Sequence, residues 1–458
     1  MTQKFSSSSR PHILMVTNHG IHDWEVRSGL TDTGGQNHYV NALSDTLAAL
    51  GYKVTTFNRG GFPDPVTNEM RTGARYKDEN SRIVYLEGGG HNFIRKEDLD
   101  RTILEQEAGF AERILKEEGA PVDLIISHYW DGALLADLVK GHLQLAARHV
   151  WIPHSLGALK KENFKHKPAD VIAACRFDER IAYEKELLPR VDAVASTSSD
   201  ISRVLHDSYG RTAELTLPPC INTDEVHPME PSDCKRIYDF LDRASPGAGK
   251  RVRGRPCVLE VSRTDRTKRK DVVIKAFAGS LKENPEAMLL LTLSPDNKVV
   301  YDECMQLIES AGIRDRVVLL GMIPRNIMSE LYAITTVYCS PSEMEGFGMS
   351  VQEAAACRRA LVASDLVPFA VEYLQKDATE EKVPGKPASA VRWGAGAVVK
   401  AGDVEGFTAA VTRLLRDEPF RTRVAAAAYG ITIPYFTWPR QTRRLLSEMG
   451  MTSPVDIH

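Results

Sequence analysis

A short stretch of the sequence places two carboxylates, Glu345 and Glu353, on either side of two glycines, Gly346 and Gly348, at the start of a helical pattern. Glycine lets the backbone approach a ligand closely, and the free N–H groups in the first turn of a helix attract anions. Carboxylates accept strong hydrogen bonds from hydroxyl groups. The combination predicts a site for a polyhydroxylated ligand that carries an anion. A βα turn with solvated acids is the alternative, because acidic residues also favour helix N-termini.

A basic pair, Arg263 and Lys268, follows the first apolar strand pattern in the second half of the chain. At the end of a strand, an arginine can hold two oxygens of a diphosphate while a lysine adds a point charge. The alternative is a basic surface loop, because Arg266, Arg269 and Lys270 crowd the same stretch. By these residues alone the surface loop is favoured, since most basic runs are solvated.

In the first half of the chain, polar residues also follow strand patterns directly. Residues 31–36 contain the paired glycines Gly34 and Gly35 before a helical pattern, where backbone amides can line an anion pocket. A plain loop-to-helix turn explains them equally well, and the dinucleotide fingerprint Gly-x-Gly-x-x-Gly is absent. A serine beside a histidine, as in His154-Ser155, suggests hydrolysis. However, Gly-x-Ser-x-Gly is absent and adjacent strand residues point to opposite faces, so a hydrolase is not favoured.

These patterns resemble the motifs of retaining glycosyltransferases of family GT4, which have the GT-B fold and include the sucrose-phosphate synthases. Residues 345–353 match the family's Glu-x7-Glu signature, and residues 263–268 match its Arg-x4-Lys pair. Residues 154–160 match His-Ser-Leu-Gly-x-x-Lys, and residues 32–36 match Asp-Thr-Gly-Gly-Gln. The resemblance covers nearly the whole chain. It departs at Cys220, where the family has glycine, and at residues 365–372, where it usually has Gly-Gly-x-x-Glu.

The resemblance implies three sets of site residues. The implied catalytic residues are His154, Arg263, Lys268 and Glu345. The implied donor-binding residues are Gly34, Gly35, Arg263, Lys268, Glu345, Gly346, Phe347, Gly348 and Glu353. The implied acceptor-binding residues are Gln36, Lys96, Tyr129, Asp131, Ser155, Lys160 and Arg180.

By resemblance, the chain transfers a hexose, with glucose the first expectation, from a nucleotide diphosphate sugar to a small phosphorylated sugar such as fructose 6-phosphate. The sugar is attacked on the face from which the phosphate leaves, and no covalent nucleophile is expected. The base of the nucleotide stays open among UDP, GDP and ADP. We expect no resident cofactor and no metal site, with Mg²⁺ at most an activator. The alternatives are a non-phosphorylated or glycerate-type acceptor and, from another class, a catalytically inactive sugar-nucleotide sensor.

Strand-like runs alternate with longer helical patterns, which is typical of parallel sheets covered by helices on both faces. The fold class predicted is α/β, with two doubly wound Rossmann-like domains that face each other across a cleft, the GT-B arrangement. We place the domains at residues 1–220 and 221–435, with a closing helix at 436–458 that returns to the first domain. A hinge region is predicted around residues 218–255, whose Gly-rich part, residues 247–251, we interpret as linker. Residues 375–391 are interpreted as a charged surface insertion.

Composition is that of a globular protein of 458 residues with a formal charge of −3. This balance requires neither nucleic acid nor a membrane as partner, and the longest apolar runs are too short to span a bilayer. The polar start of the chain does not resemble a secretory signal. Seven cysteines without paired spacing predict reduced, mostly buried thiols. These features predict a cytoplasmic protein, and the resemblance implies that its partners are a nucleotide-sugar donor and a sugar-phosphate acceptor.

Overall fold

A computed structural model describes residues 2–26, 34–119 and 121–455. The chain divides into two compact units. Unit 1 comprises Met1–Cys220 with Trp438–His458, and unit 2 comprises Ile221–Thr437.

Unit 1 contains an eight-stranded sheet in the order β3-β4-β2-β1-β5-β6-β7-β8. Its strands are β1 (His12–Thr17), β2 (Lys53–Arg59), β3 (Gly73–Tyr76), β4 (Ser81–Leu86), β5 (Leu124–His128), β6 (Arg148–Ile152), β7 (Ala193–Ser196) and β8 (Leu215–Thr216). Its helices up to Cys220 are α1 (Thr2–Ser7), α2 (Gly35–Ala49), α3 (Arg101–Glu118), α4 (Tyr129–Leu143), α5 (Gly157–Phe164), α6 (Ala169–Ala174), α7 (Phe177–Leu187) and α8 (Ser199–Tyr209). The central strands are buried along both faces, as expected for parallel strands covered by helices.

Unit 2 contains a second eight-stranded sheet, in the order β11-β10-β9-β12-β13-β16-β15-β14. Its strands are β9 (Cys257–Glu260), β10 (Met288–Thr292), β11 (Val317–Leu320), β12 (Val337–Ser340), β13 (Ala360–Ser364), β14 (Thr379–Val383), β15 (Lys386–Trp393) and β16 (Ala397–Val399). Its helices are α9 (Arg236–Ala244), α10 (Ala248–Val252), α11 (Lys270–Ser280), α12 (Lys298–Ser310), α13 (Met328–Ala333), α14 (Met349–Ala356), α15 (Pro368–Tyr373), α16 (Val404–Arg416) and α17 (Glu418–Thr432).

A final helix, α18 (Trp438–Glu448), belongs to unit 1. Trp438 is buried there, and its ring meets the ring of Tyr39 edge to face with centroids 4.7 Å apart. Leu445 and Leu446 are buried in the same core beside α2. The apolar stripe of this amphipathic helix is thus covered by residues of unit 1.

Three sequence expectations need correction. The sheets are not wholly parallel, because β3 pairs with β4, and β15 pairs with β14 and β16, in the antiparallel direction. Residues 375–391 are not a plain surface insertion, because most of them form the β14–β15 hairpin that extends the sheet of unit 2. β14 is largely exposed and charged and lacks the regular alternation of polar and apolar residues that predicts a strand. The sequence pattern therefore did not reveal it.

The linker interpretation of residues 247–251 is also wrong. Gly247, with φ of 76°, precedes α10, in which Ala248, Gly249 and Val252 are buried. The residues pack in the core of unit 2 against α9. Glycine and basic residues suggested solvent exposure, but tertiary packing buries one face of this short helix.

The seven cysteines are all free thiols, and six of them are buried, as the sequence predicts. Among the described residues, none of the helices is both long and apolar enough to cross a membrane.

Candidate functional site

In unit 1, Tyr129 lies at the centre of the predicted acceptor residues. Its ring stacks against the ring of His154 with centroids 5.5 Å apart. The Lys160 ammonium group lies 6.0 Å, and the Arg180 guanidinium group 5.8 Å, from the centroid of the same ring. Tyr129 comes directly after β5 and His154 shortly after β6, so the adjacent carboxyl ends of two parallel strands bring these residues together.

A pocket of about 190 Å³ lies beside this cluster. Its charged lining residues are Lys96, Glu97, Lys160, Arg176, Glu179 and Arg180, so four basic side chains face two acidic ones. Trp130, Phe164 and Phe177 contribute apolar walls. Lys96, Lys160 and Arg180, which come from three separate segments, therefore line one basic pocket that is large enough for a phosphate group.

Arg180 also forms a buried hydrogen-bond network with Glu184 and Ser155, which the sequence does not predict. Its guanidinium donates to Glu184 over 2.8 Å and to the Ser155 carbonyl over 2.5 Å, and also to the Ser155 hydroxyl over 3.1 Å. Glu184 in turn accepts from the Gly157 amide over 2.9 Å and from the Tyr209 hydroxyl. Burial alone would lower the pKa of Arg180, but the charge of Glu184 raises it above its usual value.

The pair Arg180–Glu184 thus clamps the turn that carries His154. Both side chains are buried. Sequence reasoning missed Glu184, although its spacing of four residues from Arg180 on one helix is the spacing of a favourable ion pair.

Asp131, a predicted acceptor contact, is completely buried. Its carboxylate accepts from the His19 backbone N–H over 2.8 Å and pairs with His19 Nδ1 over 2.9 Å. Burial alone would raise the pKa of Asp131, but the charge and hydrogen bonds of His19 lower it below its usual value. Asp131 therefore positions His19, whose ring meets Tyr129 edge to face at 4.6 Å. The sequence-based prediction did not include His19.

The predicted glycine loop of unit 1 is described only from Gly34 onwards, and Thr31, Asp32 and Thr33 lie outside the described residues. Gly34 precedes α2 with φ of 152°, and Gly35 is exposed. A β-carbon on either glycine would meet no atom of the described residues within 4 Å. Gln36 donates to the Thr17 hydroxyl over 2.8 Å.

In unit 2, Lys268 and Glu345 meet although they are far apart in the sequence. The Lys268 ammonium lies 2.7 Å from a Glu345 carboxylate oxygen and 3.0 Å from the Met344 carbonyl. Lys268 is buried, whereas Arg263 from the same loop is exposed. Two predicted catalytic side chains therefore form one ion pair at the carboxyl ends of β9 and β12.

Around this pair, Gly348 takes the backbone conformation that the two-glycine motif suggests. It has φ of 99° and precedes α14, and a β-carbon there would lie 2.5 Å from Val367 Cγ1. The side chain of Phe347 points instead into the core, where its ring lies 5.7 Å from that of Phe369 and 6.1 Å from that of Phe436. Phe347 therefore anchors the loop, and only its backbone is left to contact a ligand.

The substitution Gly348→Ala is expected to lower the free energy of unfolding by about 2 kcal/mol, because alanine disfavours positive φ and overpacks Val367. Chemical denaturation measures this change. Gly346→Ala is the matched control, because open space surrounds that glycine and its φ is not positive. Equal stability of the two variants would contradict the structural role of Gly348.

Glu353 is also tightly held. One carboxylate oxygen accepts from Arg325 over 2.6 Å and the other from the Tyr332 hydroxyl over 3.0 Å. Arg325 also donates to Glu225 over 3.0 Å. Sequence reasoning missed Arg325 and Tyr332, although Arg325 lies shortly after β11, where a basic residue at a strand end is a recognisable signal.

Two family models match the chain, in the same order as the two units. The Glycosyltransferase Family 4 model matches residues 33–225, and the Glycosyl transferases group 1 model matches residues 244–430. Together with the two sheets and their sites, they show that the chain belongs to the GT4 glycosyltransferases with the GT-B fold. It is therefore an enzyme of the hexose-transferring class.

Curated relatives and a solved structure agree with this assignment. Mannosylfructose-phosphate synthase of Agrobacterium fabrum is 28% identical over 367 residues, which cover 78% of this chain and 76% of the relative. A probable sucrose-phosphate synthase of Thermosipho melanesiensis is 26% identical over 346 residues, which cover 73% and 76%. The structure of sucrose-phosphate synthase from Thermosynechococcus elongatus matches with a TM-score of 0.68 at 23% identity, covering 95% of this chain and 97% of that one.

Proposed function

We propose that this enzyme transfers a hexose, with retention of configuration at the anomeric carbon, from a nucleotide diphosphate sugar to the phosphorylated sugar fructose 6-phosphate. The observation that carries the acceptor class is the pocket that gathers Lys96, Lys160 and Arg180 around a phosphate-sized space. The names of the two relatives support fructose as the acceptor sugar, because mannosylfructose phosphate and sucrose phosphate both contain it. Glucose is the proposed transferred sugar, with mannose as its competitor.

The acceptor would place its phosphate against the basic pocket and its sugar hydroxyls toward Tyr129 and Ser155. Cationic side chains bind phosphate by charge-assisted hydrogen bonds, which are roughly twice as strong as neutral ones. Glu97 and Glu179 offset part of the positive charge, with the Lys96 ammonium 3.4 Å from Glu97 and Arg176 2.6 Å from Glu179. The remaining positive charge favours a dianionic phosphate over a single carboxylate.

On the donor side, Arg263 and Lys268 would bind the diphosphate, and Glu345 and Glu353 would bind hydroxyl groups of the sugar and of the ribose. Breaking the anomeric bond creates positive charge on the sugar and negative charge on the leaving diphosphate. Preorganised cations beside that diphosphate stabilise the transition state more than the ground state. In the proposed mechanism the ammonium of Lys268, now paired with Glu345, turns to the diphosphate and leaves the carboxylate to accept sugar hydroxyls.

We also propose that transfer needs no resident metal and no organic cofactor, since Arg263 and Lys268 supply the charge that the leaving group requires. Activity that survives treatment with EDTA and dialysis supports this statement, and activity that returns only with added Mg²⁺ contradicts it.

The experiment that tests the proposal is a mass-spectrometric screen of UDP-, GDP- and ADP-linked glucose and mannose against fructose 6-phosphate, fructose and 3-phosphoglycerate. Formation of a hexosyl-fructose phosphate with an α-linkage, seen by NMR, is the expected result. Preference for unphosphorylated fructose or for the glycerate would overturn the acceptor assignment. Tight donor binding without any turnover would point to a sugar-nucleotide sensor.

A further prediction concerns the basic pocket itself. Lys160→Met is expected to raise the KM for the phosphorylated acceptor about 10- to 100-fold, because a hydrogen bond to a charged group contributes about 1.5–3 kcal/mol. Steady-state kinetics with the donor and the acceptor varied separately should show little change in the KM for the donor.

The matched control is Lys161→Met, which removes the same charge one residue away. Lys161 does not line the pocket, and its ammonium lies 2.6 Å from Asp178. If the two variants raise the acceptor KM equally, or if Lys160→Met acts as strongly on fructose as on its phosphate, the pocket does not bind the phosphate group.

A further inference from the structure

Behind His154 lies a second histidine, His128, to which sequence reasoning assigned no role. Nδ1 of His128 is 2.9 Å from Nε2 of His154, a hydrogen-bonding distance. The ring centroids are 5.1 Å apart and the ring planes 20° apart, so the two rings lie edge to edge and nearly coplanar. The sheet register explains the contact. His128 pairs with Ile152 at the end of β6, and His154 lies two residues later in the turn that follows this strand.

Both rings are neutral at ordinary pH. Burial, with a smaller contribution from His19, lowers the pKa of His154 to about 3. Burial, together with the neighbouring His154 and His22, holds the pKa of His128 well below its usual value. A neutral imidazole carries one N–H donor and one acceptor nitrogen, so one ring must donate to the other.

The surroundings of His128 distinguish the two possible arrangements. Its other nitrogen, Nε2, is buried and has no hydrogen-bond partner among the described residues. If His154 donated, the proton of His128 would sit on this Nε2 and leave a buried N–H unpaired. If His128 donates from Nδ1, only an acceptor lone pair stays unpaired. Orphaned N–H groups are the rarer of the two in folded proteins, which favours donation by His128.

Contacts on several sides fix the ring of His154, so the position of its proton decides what the ring offers to a ligand. The His128 ring contacts its Nε2 edge, the Tyr129 ring stacks on it with centroids 5.5 Å apart, and the Tyr39 ring meets it edge to face at 4.8 Å. Its backbone has φ of 52°, a conformation that the clamped turn after it maintains. His154 is partly buried, and among the described residues the hydrogen bond found for its ring is the one that Nε2 makes with His128. Nδ1 is thus the nitrogen left for a ligand.

We propose that His128 is a positioning residue that fixes His154 in the tautomer with its proton on Nδ1, so that His154 offers a substrate oxygen a hydrogen-bond donor and not a base. The functional part of this inference rests on the proposed transfer reaction and on the role that the family resemblance implies for His154, a contact with the donor sugar near the reacting centre. A donor in that position holds the sugar hydroxyl as an acceptor and leaves proton removal from the acceptor sugar to the departing phosphate.

The first test does not depend on any activity. Protein labelled with ¹⁵N-histidine is studied at neutral pH by long-range ¹H–¹⁵N correlation, which distinguishes a protonated from an unprotonated ring nitrogen. The chain has 13 histidines, so the signals are assigned by comparison with His154→Asn and His128→Asn proteins. The expected result is protonated Nδ1 and unprotonated Nε2 for His154. A proton on Nε2 of His154, or a charged ring, overturns the proposal even if the enzyme transfers hexose as proposed.

The second test compares two replacements of His128. His128→Asn keeps an N–H donor near the position of Nδ1, whereas His128→Leu removes it. We expect His128→Leu to lower kcat about 10- to 100-fold, as loss of an orienting partner commonly does, with little change in either KM. His128→Asn should recover most of that loss and keep the proton of His154 on Nδ1.

Circular dichroism and thermal unfolding identify any variant that fails to fold. If a variant fails to fold, the ¹H–¹⁵N correlation on the unmodified protein tests the proposed tautomer of His154 without it. Equal kcat values in two folded variants would reduce His128 to a packing residue and overturn the positioning role. If the unmodified enzyme transfers no sugar while His154 shows the expected tautomer, the proposed function fails and the tautomer assignment stands.

Discussion

Replacement of Lys268 by alanine is expected to lower kcat about 100-fold, the loss of roughly 3 kcal/mol that follows removal of one preorganised donor at a developing negative charge. Lys268 is a buried cation in the loop of residues 263–268, which follows β9. Its ammonium contacts Glu345 and the Met344 carbonyl. In the proposed mechanism this ammonium turns from Glu345 to the leaving diphosphate, so its removal leaves the developing negative charge without that cation. Single-turnover kinetics at saturating donor measure the chemical step directly.

Arg266→Ala is the control for the Lys268 variant. Arg266 lies in the same loop and carries the same charge, but it is largely exposed and pairs with Glu303 over 2.5 Å. Exposed ion pairs contribute little, so this variant should behave like the unmodified enzyme. Undiminished transfer by Lys268→Ala would remove Lys268 from the mechanism. Equal losses in both variants would assign the effect to the charge of the loop as a whole.

Glu184→Gln is expected to lower the free energy of unfolding by about 3–5 kcal/mol, because it leaves the buried Arg180 guanidinium without its carboxylate. The same change loosens the turn that carries His154, since Glu184 also accepts from the Gly157 amide. We therefore expect kcat to fall together with stability. Chemical denaturation followed by kinetics well below the new midpoint separates the two effects.

Glu186→Gln provides a matched comparison on the same helix. Glu186 is partly exposed and pairs with Arg101 over 2.6 Å and with Arg190 over 3.0 Å. Two arginine partners at the surface should contribute about 1 kcal/mol at most. If both glutamates lose similar stability, the buried clamp around Arg180 is no stronger than a surface ion pair.

The central strands of both sheets are readable from the sequence because they are buried on both faces and appear as continuous apolar runs. β10 (Met288–Thr292) is an example, since all five of its residues are buried and the first four are apolar. The edge strands are not readable in this way. β3 and β14 are largely exposed and carry polar residues, so only pairing with a neighbouring strand shows that they are strands.

By itself, the sequence determined the α/β class, the strand-end positions of the polar motifs and the candidate residues on both substrates' sides. Those features depend on local pattern and on residue type. Their pairing depends on tertiary structure. Only the fold shows that Lys268 meets Glu345, that Arg325 meets Glu353, and that Arg180 is clamped by Glu184.

Phe347 and Asp131 are two residues whose surroundings could not be predicted from the sequence. The resemblance implies ligand contacts for both residues, while the structure places the ring of Phe347 in the core and buries Asp131 against His19.

For the stretch from Glu345 to Glu353, the two-glycine turn and the acids follow from the sequence, while the cations that neutralise those acids come from distant segments. Segments that are far apart in the sequence are brought together by the burial of the whole sheet. The spacing of nearby residues therefore does not predict which distant cation meets which acid.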